Sequence, residues 1–311
     1  MGNLFRRMKL SEIGQIVAGG TPKTKIEEYW NGDVPWITPK DLSSHAGMYI
    51  SRGERNISQV GLDNSSAKLL PKGTVLFTSR APIGYVAIAR NEVTTNQGFK
   101  SIIVDDENDN IFIYYLLKNN IDIIENHANG STFKEISGSV MKSLEFGIPS
   151  LREQKAIAHI LSTLDDKIEV NNQINKTLEN MAQAIFKQWF VDFEFPNENG
   201  EPYKSSGGEM VESELGTIPK GWEVVQFRDI FRFVKGKKPK TIAECEFKDS
   251  EKYLTIDVLN RNSVLFCSKE KVIEANSEDV LMVMDGASSG VIYFGQKGVV
   301  ASTLAKLELI S

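Results

Sequence analysis

Residues 149–189, PSLREQKAIAHILSTLDDKIEVNNQINKTLENMAQAIFKQW, contain no glycine, and no proline after the first position. A run so free of breakers constrains the fold more than any other feature. Ser150 followed by Glu153 has the form of a capping box, in which hydroxyl and carboxylate each satisfy the other residue's backbone amide. Pro149 keeps the preceding chain extended. Apolar residues then recur at Ile157, Ile160, Leu161, Leu164, Ile168, Ile174, Leu178, Met181, Ile185 and Trp189, in steps that place them on one helical stripe. The pattern ends near Phe193, before Pro196. It predicts a helix of roughly 43 residues, or about 65 Å at 1.5 Å per residue.

A stripe that narrow needs a partner helix, so the spacing predicts a coiled-coil-like rod, with Asn171 and Asn172 interrupting the seam and fixing register. The competing reading is two ordinary core helices broken at Asn171–Asn172.

The segments on either side resemble each other. KLSEIGQIVAGGTPKT (9–24) and QFRDIFRFVKGKKPKT (226–241) align at an offset of 217, which also pairs Trp36-Ile37-Thr38 with Tyr253-Leu254-Thr255. Further on the offset falls to 205 or 206, pairing Val75-Leu76 with Val280-Leu281, Gly84 with Gly290 and Lys100 with Lys306. An internal repeat of mixed α/β (α+β) units follows. The expected domains are 1–150, the spacer helix 151–195, a Gly/Ser/Pro/Glu-rich linker 196–221, and 222–311 as an incomplete second unit.

Charge narrows the function. The net charge is −5, from 16 basic and 16 acidic groups in 1–150, 5 and 7 in 151–195, and 15 and 18 in 196–311. No segment is broadly basic, which disfavours non-specific nucleic-acid binding but leaves room for a reader with basic groups on one face. Cys245 and Cys267 form no disulfide framework, and His45, His127 and His159 have no zinc spacing. The N-terminal MGNLFRRMKL has neither signal-peptide nor anchor character, and Arg6 stands where a myristoylation signal needs Ser or Thr, so a cytoplasmic protein is expected. GASSG (286–290) lacks the lysine of a phosphate loop. The acidic run 105–110 lacks the glycine and bidentate glutamate of a calcium loop. HExxH, GxSxG, GxGxxG and NPPY-like motifs are absent. No catalytic residue, metal site or cofactor site is therefore expected.

What remains is a set of loops rich in hydroxyl, amide and cationic side chains. Arginine and lysine suit guanine edges, asparagine and glutamine suit adenine, and hydroxyls suit phosphate. The DNA-binding candidates are Lys23, Thr24, Lys25, Thr38, Lys40, Ser79, Arg80, Asn96 and Gln97, with Lys237, Lys238 and Lys240 in the second copy. Ordinary turn chemistry is the alternative for each. Gly84 and Gly98 read as backbone requirements, and Tyr29, Trp30 and Trp36 as core.

Three blocks together, GGTPKTKIEEYWNGDVPWITPKDL, LPKGTVLFTSRAPIGYVAIARNEVTTNQGFKSI and IPSLREQKAIAHILSTLDDKIEVNNQINKTLENMAQAIFKQWFVDF, resemble the specificity subunits of type I restriction–modification systems, and a second entry (GTIPKGWEV) follows them. The resemblance implies a non-catalytic subunit with two target-recognition domains, each reading half of a split site in double-stranded DNA. It implies helices that act as a ruler and dock modification subunits. S-adenosylmethionine, ATP and magnesium would serve the modification and motor-nuclease (restriction) subunits. This chain departs from the pattern in lacking a second long helix and the rest of its second domain, so self-pairing through the helix is a further expectation. Two rival classes stay open: a coiled-coil adaptor without DNA contact, and a methyltransferase or nuclease with an unrecognised site.

Overall fold

The computed structural model describes residues 5–45, 47–129 and 134–310. The chain divides into two compact units, Met1–Gln183 and Ala184–Ser311.

The first unit is built on a five-stranded sheet in the order Gly14–Ala18, Lys100–Val104, Val75–Ser79, Ile83–Ala89, Tyr49–Ile50. A three-stranded sheet sets Arg55–Ile57 and Thr94–Thr95 on either side of Trp30–Ile37. Every residue of Val75–Ser79 is buried, because both faces of that strand are covered. Val75 and Phe77 face one cluster, where Ile113 and Leu117 of the helix Asn110–Asn119 pack with Leu10, Ile13 and Ile88. Leu76 faces the other, with Ile37, Leu70 and Phe99. Trp30 and Trp36 are core, as expected, and meet edge to face at 5.1 Å beside Ile57.

The long helix forms without a break. It is α-helical over Leu151–Phe186, continues as a π-type turn over Lys187–Val191, and passes through Asn171 and Asn172 uninterrupted. Ser150 N–H donates to Glu153 Oε2 (3.0 Å) and Glu153 N–H to Ser150 Oγ (3.4 Å), the predicted capping box. The Ser150 hydroxyl also donates to Glu153 Oε2 (2.7 Å), and this bond, with that from the Ser150 N–H, holds the Glu153 carboxyl below its ordinary value. The first turns are welded to the first unit. Gln154, 1% exposed, accepts from Asp109 N–H (2.9 Å) and donates to Asn108 Oδ1 and to the Pro149 carbonyl. Tyr115 Oη donates to Asp165 Oδ2 at 2.8 Å. Beyond that anchor the predicted stripe lies open: Ile157, Ile160, Leu164, Ile168, Ile174, Leu178, Met181 and Ile185 are between 36% and 63% exposed. Leu161 is half-buried and Asn171 exposed. The last seam member, Trp189, falls in the π-type turn. The longer turn there takes it off the 3.6-residue period, and its ring lies 6.4 Å from Phe190.

The second unit repeats the first in backbone register. Leu10–Ile13 leading into Gly14–Ala18 corresponds to Phe227–Ile230 leading into Phe231–Lys235. Trp36 and Ile37 pair in parallel with Thr94 and Thr95; Tyr253 and Leu254 pair in parallel with Val299 and Val300. Ala18 lies opposite Lys100, and Lys235 opposite Ala305. The sequence match of Lys100 with Lys306 is therefore corrected by one position: Ala305 stands where Lys100 stands. One residue along a strand reverses the face, so Lys306 points away from the Lys100 site and pairs with Asp279 (3.6 Å) and Glu308 (3.1 Å) instead.

The two copies differ in cover. Leu10 and Ile88 are fully buried against the helix Asn110–Asn119 and its neighbours. Their counterparts Phe227 and Phe294 are 50% and 66% exposed, and no counterpart of that helix is found among the described residues of the second unit. The second core is confined to the other face, around Leu254, Cys267, Leu281, Val283 and Leu304. Residues 196–221 are more ordered than a plain linker. They contain a hairpin pairing Met210–Ser213 with Gly216–Pro219, and Tyr203 stacks on Phe195 at 4.7 Å. A half-buried aromatic stack and a ladder of backbone bonds are hidden by the turn-rich composition.

Candidate nucleic-acid interface

In the first unit, four loops widely separated in sequence meet at one end of the sheets. Gly20 N–H donates to the Thr95 carbonyl (2.8 Å), Asn96 N–H to the Ile37 carbonyl (2.9 Å) and Ser79 N–H to the Gly98 carbonyl (2.7 Å). Trp36 Nε1 donates to the Gly20 carbonyl at 2.9 Å, and the Thr21 hydroxyl donates to Gln97 Oε1. The 21–25 loop, the start of the helix Pro39–Ser43, the Ser79–Arg80 corner and the 96–98 loop thus share one backbone framework. Close approach requires glycine at position 19, since a Cβ there would collide with the Asn96 carbonyl oxygen. Gly236 repeats this: a Cβ would strike the Ala301 and Val300 carbonyls, the counterparts of Asn96 and Thr95. Gly84 is a backbone requirement as expected, at φ +100° with Ile121 2.6 Å from where a Cβ would sit.

The candidates differ in what they present. Lys23, Thr24, Lys25 and Gln97 are exposed, and Asn96 is half-buried with its Oδ1 accepting from Gly98 N–H (2.9 Å). Thr38 caps the helix Pro39–Ser43, its hydroxyl donating to Asp41 Oδ2 at 2.6 Å. Thr255 repeats the same cap in the second unit. Lys40 is exposed and paired with Glu54 at 2.9 Å, which raises its pKa. Ser79 is buried, its hydroxyl donating to the Gly98 carbonyl (3.1 Å), so it shapes the loop from inside.

Arg80 is half-buried, with Nη1 3.4 Å from Glu135 Oε2. Lys100 Nζ lies 3.8 Å from the other Glu135 oxygen and donates to Ser79 Oγ at 3.4 Å. Burial pushes the Lys100 ammonium below its ordinary value, opposed by Glu135 and reinforced by Arg80. In the second unit Lys237 and Lys238 are exposed, while Lys240 pairs with Glu270 at 2.6 Å, raising its pKa.

Sequence reasoning missed three groups. Lys100 sits inside an apolar strand, and Glu135 is 55 positions from Arg80. Arg55 lies over the Trp30 ring, 3.7 Å from its centroid, a pairing that only the fold creates. A fourth point emerges from register. Met284 N–H donates to the Thr303 carbonyl as Ser79 N–H does to Gly98, which puts Asp285 in the second unit where Arg80 stands in the first. Asp285 pairs with Lys235 at 3.1 Å. Framework and caps are shared; the side chains at the tips are not.

The chain thus carries an α/β unit with convergent polar loops, a long helix with an open apolar seam, and a second copy of the unit. A family model described as the type I restriction modification DNA specificity domain matches residues 4–180, and the chain belongs to that family. It is 46% identical over 230 residues to the type I restriction enzyme MjaIX specificity subunit of Methanocaldococcus jannaschii, covering 73% of this chain and 52% of that protein. It is 26% identical over 308 residues to the HindI specificity subunit of Haemophilus influenzae, covering 80% of this chain and 65% of that one. The chain thus spans between half and two thirds of the length of these relatives. In fold it is similar to the crystal structure of a type I restriction–modification S subunit from M. genitalium, with a TM-score of 0.62 at 19% identity, covering 100% of this chain and 74% of that one. Among the described residues no helix is long and apolar enough to cross a membrane.

Proposed function

We propose that this chain is a cytoplasmic, non-catalytic DNA-reading subunit of a type I restriction–modification complex. Residues 1–150 and 222–311 each read one half of a split double-stranded site. Residues 151–195 are the spacer, and 196–221 join spacer to second unit. One observation carries the reading: within a chain of this family, one backbone framework recurs in register while the groups at its tips change, Arg80 against Asp285 and Lys100 against Ala305. A constant scaffold with variable tips is what base-edge reading requires, because arginine suits guanine and a carboxylate suits the cytosine amino group.

The exposed Lys23, Thr24, Lys25 and Gln97 supply phosphate and base contacts in the first unit, and Lys237 and Lys238 in the second. The open seam from Ile157 to Ile185 docks a partner helix, from the modification subunits or a second copy of this chain. S-adenosylmethionine, ATP and magnesium belong to the modification and restriction subunits. Methylome sequencing of the host with and without this chain tests the reading. A two-part methylated motif lost on deletion is expected; an unchanged methylome overturns it. Charge reversal of Lys23, Lys25 and Arg80 separates it from an adaptor role, which such a variant would leave intact.

A further inference from the structure

The trio Arg80, Glu135 and Lys100 deepens the proposed DNA reading and rests on it. Glu135 is fixed by its backbone from two sides. It exchanges two hydrogen bonds with Asn129 (3.0 and 2.9 Å), and the adjacent Ile136 N–H donates to the Ser79 carbonyl (3.0 Å) while its side chain is fully buried. The carboxylate is therefore held at a set height against the Ser79–Arg80 corner. From there one oxygen meets Arg80 Nη1 and the other faces Lys100 Nζ. Lys100 is buried and cannot swing out to meet DNA; Arg80 is half-exposed at the loop cluster. The second unit lacks both cations together, since Asp285 and Ala305 occupy their positions.

We propose that Glu135 is a positioning residue for Arg80. Its carboxylate, backed by Lys100, orients the guanidinium towards a base edge and tempers its attraction to phosphate. A free arginine at a DNA-facing surface is drawn to the backbone, which is everywhere and carries no sequence information. Tethering one Nη to a fixed carboxylate leaves the rest of the fork to face a base, and lowers the net positive charge of the trio to one. Lys100 supplies a second anchor, keeping Glu135 from being drawn wholly onto Arg80.

This makes a signed prediction that structural damage does not share. In Glu135→Gln the side-chain shape is kept and the charge lost. Selection of the full chain against a randomised double-stranded oligonucleotide pool should then show about tenfold weaker discrimination at one base pair of one half-site. Binding to poly(dI-dC) should strengthen, with its salt dependence steeper by about one phosphate contact. Glu135→Asp, which restores the charge, should recover part of the discrimination at an unchanged melting temperature. Unchanged discrimination in Glu135→Gln overturns the proposal. Loss of both specific and non-specific binding also overturns it, because that marks a merely structural role. If the wild-type chain enriches no motif from the pool, the DNA-reading assignment itself falls and takes this inference with it.

Discussion

Gly19→Ala tests the shared framework of the candidate interface. A methyl group there would sit on the Asn96 carbonyl oxygen and 2.6 Å from the Thr95 carbonyl oxygen. The Thr95 hydroxyl, 2.4 Å away, could rotate aside, but the two carbonyl oxygens are backbone and cannot. Restoring ordinary contact of about 3.5 Å requires the 19–20 turn to retreat from the 95–96 segment. That movement breaks Gly19 N–H to Phe99 O (3.4 Å) and Gly20 N–H to Thr95 O (2.8 Å). Two backbone hydrogen bonds at about 1 kcal/mol each, with about 1–3 kcal/mol of overpacking, give a loss of roughly 3–5 kcal/mol. Urea unfolding followed by tryptophan fluorescence reads this directly, since Trp36 is buried and bonded to the Gly20 carbonyl. At a slope of about 2–3 kcal/mol per molar, the midpoint of the first unit should fall by about 1–2 M. Gly236→Ala should act in the same way on the second unit. The control is Gly138→Ala, where a Cβ meets only Lys100 side-chain carbons, at 3.9 Å or more, at the start of a helix; it should be neutral or slightly stabilising. A Gly19→Ala midpoint indistinguishable from that control would refute the argument.

Four other outcomes follow from the same geometry. Ser150→Ala should cost about 1 kcal/mol by unmaking the cap of the long helix. Because Glu153 is held below its ordinary pKa, the stability it contributes is present above the carboxylate range and lost as pH falls through its folded value, so chemical denaturation at pH 3–6 should show a shallower slope in Glu153→Gln than in the wild-type chain. In a thiol titration at pH 7–8 the native chain should expose one reactive cysteine, Cys245. Burial removes Cys267 from solvent and pushes its thiol up to about 11, so two rapid equivalents would contradict the packing. Leu164→Asp with Leu178→Asp should abolish co-purification with seam partners while leaving urea midpoints unchanged, since both side chains are more than half exposed; a lowered midpoint would mean that the seam is already covered within the chain.

The sequence reveals the features that are local in origin. Ser150 and Glu153 are three positions apart, so the start of the helix can be read from spacing alone, as can the stripe from Ile157 onward. The offset of 217 is legible because the helix–strand entries at 10–18 and 227–235 keep their length. Register further on is not, because a one-residue hairpin difference between Ile83–Ala89 and Ile292–Phe294 shifts the alignment and invites the pairing of Lys100 with Lys306. Backbone pairing then sets Lys100 against Ala305. Ser79 looks like a surface hydroxyl in the string TSRAP, yet it lies under the Gly98 carbonyl because the strand Val75–Ser79 is covered on both faces. The Glu135 contacts are set by tertiary packing alone. The π-type turn at Lys187–Val191 has no spacing signature that would separate it from continued α-helix.

The most direct test of the central claim, that two copies of one framework read DNA through different tips, is a comparison of the motifs methylated by complexes carrying Arg80→Ala and Asp285→Ala. The account predicts that each substitution relaxes a different half of a two-part motif and leaves the other half intact. Relaxation of the same half by both, or of neither, would contradict it.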